Sequence, residues 1–198
     1  MDINKAIKKQ KKSYKRFMLI MSFIFFALPI ILFLFRLYDI FYISYVVIVE
    51  LLIIIAIAAK INKDKLIFTC NNSRLRIISG IRRRNLIIPC DKVALVHVEN
   101  VNTAIEKDFS IIIMFSIIVR NKGIIKVNEK FLSNHPYAAF HYKKLKILNP
   151  EKNFSFSIIK KGGVYKYQLL DIIYKNCVNA IFTEETVDKI KEYRNCKL

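Results

Sequence analysis

The chain has 198 residues, 54% of them hydrophobic, and a formal charge of +19 from 34 basic and 15 acidic side chains. It uses 35 Ile, 25 Lys and 15 Asn against 4 Gly and no Trp. An AT-rich genome imposes that bias whatever the function, so the charge is weak grounds for a nucleic-acid partner. Few glycines leave little material for phosphate-cradling loops. No P-loop, G-x-S-x-G or H-E-x-x-H pattern is present, so no catalytic residue, metal site or cofactor is expected and the protein is not read as an enzyme.

Residues 1–16 are a basic segment, with Lys5, Lys8, Lys9, Lys11, Lys12, Lys15 and Arg16. Two apolar runs follow, Phe17–Phe35 and Ile40–Ala59. Each is near the roughly 20 residues a helix needs to cross about 30 Å of hydrocarbon. Arg36-Leu37-Tyr38-Asp39 between them is long enough only to turn the chain around. Two runs back to back, neither ending in a small-residue cleavage site, predict a transmembrane hairpin over 17–59 rather than a signal peptide. Lysines lie before the first run and after the second (Lys60, Lys63, Lys65), and the turn holds only Arg36 against Asp39. This places both termini in the cytoplasm of a multi-pass cell-membrane protein. Tyr38, Tyr42 and Tyr45 suit the outer interface and Tyr14 and Phe17 the inner one. The basic residues beside the anchor are expected to be drawn to anionic lipids of the inner leaflet.

Glu50 stands at the middle of the second run. A charge there costs about 2.5–3.5 kcal/mol on insertion scales, so the carboxyl is expected neutral or paired. Ser22 is the nearby polar group on the first helix. A contact to another membrane protein, or to a second copy of the chain, is the functional alternative.

From Lys60 to Leu198 the chain reads as one cytoplasmic domain, strands first and helices last. Leu66–Cys70 and Arg74–Ile77 are strands joined by the turn Asn71-Asn72-Ser73. Ser79-Gly80 turns again, and Asn85–Ile88 is a strand stopped by Pro89. Val93–Val98 is a fourth strand. Phe109–Val119 is a long apolar strand, too short for a membrane span and closed by Asp108 and Arg120. Asn121-Lys122-Gly123 predicts a short hairpin connection, with Ile124–Val127 returning. Pro136–Leu148 leans to a short helix with Pro136 at its first position. Phe154–Ile159 is a strand and Lys160–Gly163 a turn. Leu169, Leu170, Ile173, Cys177, Ala180 and Ile181 recur at helical spacing, predicting a helix over 165–181, and Thr183-Glu184-Glu185 opens another over 184–194.

Cys70, Cys90, Cys177 and Cys196 show no metal spacing and are expected reduced. His97, His135 and His141 show none either, and His97 is expected exposed or hydrogen-bonded on its strand. Five of the nine arginines fall together: Arg74, Arg76, Arg82, Arg83 and Arg84. Guanidinium forks bind phosphate bidentately, so these are the candidate residues for lipid headgroups or an acidic partner, against the plainer reading of a solvated face.

Residues 65–99 resemble the opening of the bacterial pleckstrin-homology-like domains of YdbS-type membrane proteins. The shared pattern is Thr69, Arg74-Leu75, Ser79-Gly80, Arg82–Arg84, Ile88-Pro89 and the valine-rich Val93–Val98; after Asn100 the likeness fades, and 131–153 reads as an insertion. The resemblance implies a bent β-barrel or sandwich closed by a C-terminal helix, a binding module rather than an enzyme, and a role in envelope defence such as bacteriocin immunity. The expected fold class is therefore a membrane-anchored α+β protein, a two-helix hairpin followed by a pleckstrin-homology-like domain with C-terminal helices. The alternative role is a structural subunit of a secretion or conjugation apparatus, associated with other membrane proteins or with itself.

Overall fold

The computed structural model describes residues 3–36, 39–81, 84–102, 107–116 and 123–196, with side chains at 84, 101, 102 and 107 excepted. Helix α1 spans Ile3–Leu34 and α2 spans Ile40–Asp64. The basic segment is thus not a separate arm but the first turns of α1, where Ala, Lys and Gln are good helix formers. The two helices reach a mean hydropathy of 2.8 and 2.7 over their most apolar stretches, of which 0% and 6% is buried. They are candidate membrane spans by length and composition. A core helix of a soluble protein would bury that surface, whereas here Leu19, Phe23, Phe33 and Ile40 are each at least 71% exposed. Leu37 and Tyr38 of the turn lie outside the described residues.

After α2 come three antiparallel strands, β1 (Leu66–Asn71), β2 (Arg74–Ser79) and β3 (Arg84–Pro89). Asn72 and Ser73 join the first two with φ of 48° and 56°, the two left-handed positions of a tight hairpin turn that Asn tolerates. Alternation then sorts the side chains. Leu66, Leu75, Ile77, Leu86 and Ile88 face inward, while Ile67, Thr69, Arg74, Arg76 and Ile87 are exposed.

A second sheet of five strands has the order β6-β7-β5-β4-β8. Its strands are β4 (Val93–Asn102), β5 (Lys107–Phe115), β6 (Ile125–Lys126), β7 (Ser155–Ile159) and β8 (Ile181–Phe182). Helices α3 (Glu129–Asn134) and α4 (Pro136–Leu148) precede β7; α5 (Tyr165–Asn176) and α6 (Glu184–Asn195) follow it. Both faces of this sheet are covered, which is why Ile111–Phe115 is buried at every position. One face meets the first sheet, α5 and α6 through Val96, Val98, Ile111, Ile113, Leu169, Leu170, Ile173 and Ile190. The other meets α3 and α4 through Leu95, Ile112, Met114, Phe131, Ala138 and Leu145. There Phe131 stacks on Phe156 at 3.8 Å between ring centres.

Two expectations are corrected. The helix predicted over 165–181 stops at Asn176, closed by Cys177 N–H donating to the Ile173 carbonyl at 2.8 Å. Ile181 and Phe182 instead pair parallel with Leu95 and Val96, where a β-branched and an aromatic residue suit the open edge of β4. The segment returning at Ile124–Val127 does not pair with β5. Its Ile125 and Lys126 pair with β7, and β7 holds the place beside β5. β7 has the buried side chains to fill that place, whereas both β6 side chains are exposed. Asn121 and Lys122 of the predicted connection, and 117–120 at the end of the predicted strand, lie outside the described residues.

Candidate functional site

The apolar part of α2 ends at Ala59, and the polar turn and a half that follows is where the domain is fastened. Asn62 is the hub. Its Oδ1 accepts from the Ile81 backbone N–H at 3.1 Å and from Lys161 Nζ at 2.6 Å. Gly80 N–H donates to the Lys65 carbonyl, and Gly162 N–H to the Lys63 carbonyl, each at 3.0 Å. The β2–β3 turn and the β7–α5 turn are therefore both tied to the foot of α2. Gly80 has φ 70°, and a Cβ there would fall 2.6 Å from Asn62 Oδ1, so only glycine fits. From α1, Gln10 closes the ring: its Oε1 accepts from the Val164 N–H at 3.0 Å, and its Nε2 lies 3.5 Å from Asp64 Oδ1. Lys8, Lys9, Lys11, Lys12, Lys15 and Arg16 stand exposed on the same helix. The result is a polar, strongly basic collar where the two apolar helices meet the domain.

Of the arginines named from the sequence, Arg74 and Arg76 are placed on β2. Arg82 and Arg83 lie outside the described residues. The residues on either side of them are placed, with Ile81 bound to Asn62 and the backbone of Arg84 paired with Ser79. Arg74 pairs with Asn71 and Pro89 at the other end of β2, about 17 Å away at roughly 3.3 Å per residue. Arg76 is mid-strand on the outer face, its Nε donating to Asn85 Oδ1 at 3.2 Å. Of the five, the described side chains are those of Arg74 and Arg76, and both stand exposed on β2.

In the hairpin, Glu50 is half-buried together with Val46, Val49, Ala56 and Ile57 around the buried Ile53, the stripe of α2 that faces α1. The matching stripe of α1 is Phe17, Met21, Phe25 and Leu28; Ser22 sits one position off it and is exposed. No hydrogen bond joins Glu50 to Ser22; the alternative partner for a neutral carboxyl at this depth is a backbone carbonyl. Among the described residues Glu50 has neither a hydrogen-bond nor an ion-pair partner.

Two groupings escaped the sequence reading. All three histidines gather where β4, α4 and the start of α6 meet. His97 is buried, with Nδ1 3.1 Å from Thr183 Oγ1 and 3.8 Å from Glu185 Oε2. The His141 ring lies 6.0 Å from it, and His135 Nδ1 is 2.6 Å from Glu99 Oε2. Burial pushes the His97 pKa down; the Glu185 carboxylate opposes this and His141 adds to it. Thr183 also meets Thr186, whose hydroxyl donates to the Val96 carbonyl. With His97 and Thr183 both buried, no substrate reaches the hydroxyl, and the group acts as a clamp between β4 and α6. Three cysteines likewise converge. Cys70 Sγ is 3.8 Å from Cys90 Sγ, and burial pushes the Cys70 thiol up to about 11 and Cys177 up as well. Such thiols stay protonated and are poor nucleophiles. Among the described residues no three His, Cys, Asp or Glu side chains are placed to hold a metal ion. No spacing signal could have found either grouping, because its members come from strands and helices far apart in the chain.

No protein-family model matches the chain, and no curated protein or solved structure matches it either.

Proposed function

We propose that this is a small bacterial integral membrane protein, both termini cytoplasmic, whose cytoplasmic domain is a non-enzymatic binding module. The observation that carries the reading is the contrast between helices and domain. The domain buries its apolar side chains, while α1 and α2 expose theirs over lengths that match a bilayer. Each fully exposed Leu, Phe or Ile forgoes roughly 1.5–3 kcal/mol in water, which hydrocarbon restores. The lysines flanking the runs supply the orientation.

The collar gives the module its first partner, the anionic inner leaflet. A basic rim fixed at the foot of the helices is held within the headgroup layer, where each Lys or Arg contributes about 1 kcal/mol. The three-stranded meander packed on a second sheet and closed by α5 and α6 supports the pleckstrin-homology-like reading; the resemblance over 65–99 covers β1 to β4. Envelope defence against bacteriocins is the process this reading carries.

One observation favours the second reading, a structural subunit of a secretion or conjugation apparatus. Tyr137, Phe140, Ile147 and Leu148 leave an exposed apolar stripe along α4, of the kind that marks protein contacts. A photo-crosslinker at Phe140 that captures a membrane-apparatus protein supports it.

Topology tests the proposal at its root. A periplasm-dependent reporter fused after Leu198 should be silent, the same reporter inserted after Arg36 should be active, and the chain should resist alkaline extraction from membranes. Release into the soluble fraction, or an active C-terminal fusion, overturns it.

A further inference from the structure

A cleft of about 400 Å3 opens beside the collar, between α1, the end of α2 and the starts of β1 and α5. Lys11 and Tyr14 line it from α1, Ile61 and Lys65 from the exit of α2, Ile67 from β1 and Tyr165 from α5. We infer that this cleft holds the headgroup of one anionic phospholipid of the inner leaflet, an inference that rests on the membrane-anchored reading above.

Depth is the first argument. Tyr14 lies three positions before the apolar run of α1 and Ile61 two after that of α2, so the cleft mouth is within about 5 Å of the hydrocarbon edge at roughly 1.5 Å per helical residue. The headgroup layer of each leaflet is itself only about 5–8 Å thick. A soluble ligand would have to enter through that layer; a phospholipid is already there, with its acyl chains free to run up beside α1 and α2.

Chemistry is the second. The wall mixes apolar side chains with two phenol hydroxyls and two ammonium groups, matching a glycerol backbone and a phosphate. Among the described residues neither Lys11 nor Lys65 has an ion-pair or hydrogen-bond partner for its ammonium. The acid in the wall, Asp64, is already engaged: Oδ2 is 3.1 Å from Lys60 Nζ, and Oδ1 is 3.5 Å from Gln10 Nε2. The enclosed Oδ2 makes an ion pair without a directed hydrogen bond. The two free cations therefore set the sign of the cleft. Its volume lies within the range of small-molecule sites, enough for a headgroup and too small for a protein segment.

The test uses the full chain in nanodiscs of phosphatidylcholine doped with phosphatidylglycerol, followed by delipidating detergent and native mass spectrometry. Wild type should carry one phosphatidylglycerol per chain. Lys11→Gln/Lys65→Gln should weaken its retention by about thirty-fold, from two basic residues at the headgroup. Lys9→Gln/Lys12→Gln removes the same charge from α1 outside the cleft lining and should retain the lipid, as should Lys11→Arg/Lys65→Arg. Equal loss in both Gln pairs, or no loss in either, overturns the site while leaving the anchored reading intact. Retention of phosphatidylcholine equal to that of phosphatidylglycerol also overturns it. A wild-type chain that never enters the nanodisc defeats the anchored reading itself.

Discussion

His97 shows how a single side chain is judged by its surroundings. A strand position between Val96 and Val98 predicts nothing about charge, but the fold puts the ring against Thr183 and encloses it. Glu185 and Glu99 favour its protonated form, while His141, His135 and, above all, burial disfavour it. With the folded pKa below the ordinary 6.5, the unfolded chain binds more protons as pH falls beneath that value. This contribution to stability is fully present above 6.5 and is lost on acidification through the folded pKa. The melting temperature of the detergent-solubilised protein should therefore drop between pH 7 and pH 5. His97→Gln, which keeps a hydrogen-bonding side chain without the titration, should flatten that drop. Superimposable curves for the two proteins would assign the pH dependence to other groups. Arg74 and Arg76 are the described side chains of the five arginines, and they stand exposed two residues apart on one face of β2.

At the scale of elements, strands and turns were the legible part. Asn72-Ser73, Ser79-Gly80 and Pro136 announce their own backbone geometry, and β1 to β4, β7, α4 and α6 fall where alternation, turn residues and capping put them. What stayed hidden depends on partners distant in sequence. β8 exists because β4 leaves an edge, and β6 joins β7 because β7 holds the place beside β5. The docking of α1 had a signal that lysines masked: Ile3, Ile7, Gln10 and Tyr14 recur at helical spacing. Ile3 is fully buried in the main core, and Asn4 Nδ2 donates to the Cys196 carbonyl at 2.8 Å. The domain is thus closed by the first turns of α1, ahead of its apolar run. Ile3→Ala should cost about 2 kcal/mol, the low end for a buried Ile because a terminal turn relaxes. That is a fall of roughly 4–8 °C in melting temperature. Lys8→Ala, on the exposed side of the same helix, should stay within about 0.5 kcal/mol of wild type. A fragment beginning at Lys63 lacks Ile3 and Ile7 and should melt below the full chain. Equal stability of Ile3→Ala and wild type would mean that α1 only rests on the domain.

At the scale of the whole molecule, the proposed membrane anchoring raises the question of what meets the hairpin there. Two helices alone bury one stripe each, and Glu50 lies on the half-buried stripe of α2 with no hydrogen bond or ion pair to another described side chain. Hydrocarbon penalises an unsatisfied carboxyl, so a donor from a second copy or another membrane protein would relieve it. The α4 stripe leaves a second apolar surface exposed on the domain that follows the hairpin. Glu50→Gln keeps size and polarity and should preserve any assembly. Glu50→Leu should insert as well as wild type or better, yet weaken the assembly. Interhelical hydrogen bonds in membranes average about 0.6 kcal/mol, so one bond predicts a loss of roughly threefold in crosslinked species. In-membrane crosslinking from a cysteine at Val46, beside Glu50 on the same stripe, measures it. A threefold or larger fall in Glu50→Leu with Gln unaffected supports an assembled hairpin. Identical crosslinking in all three proteins would mean that the hairpin stands alone, and any partner would then have to be sought on the domain that follows it.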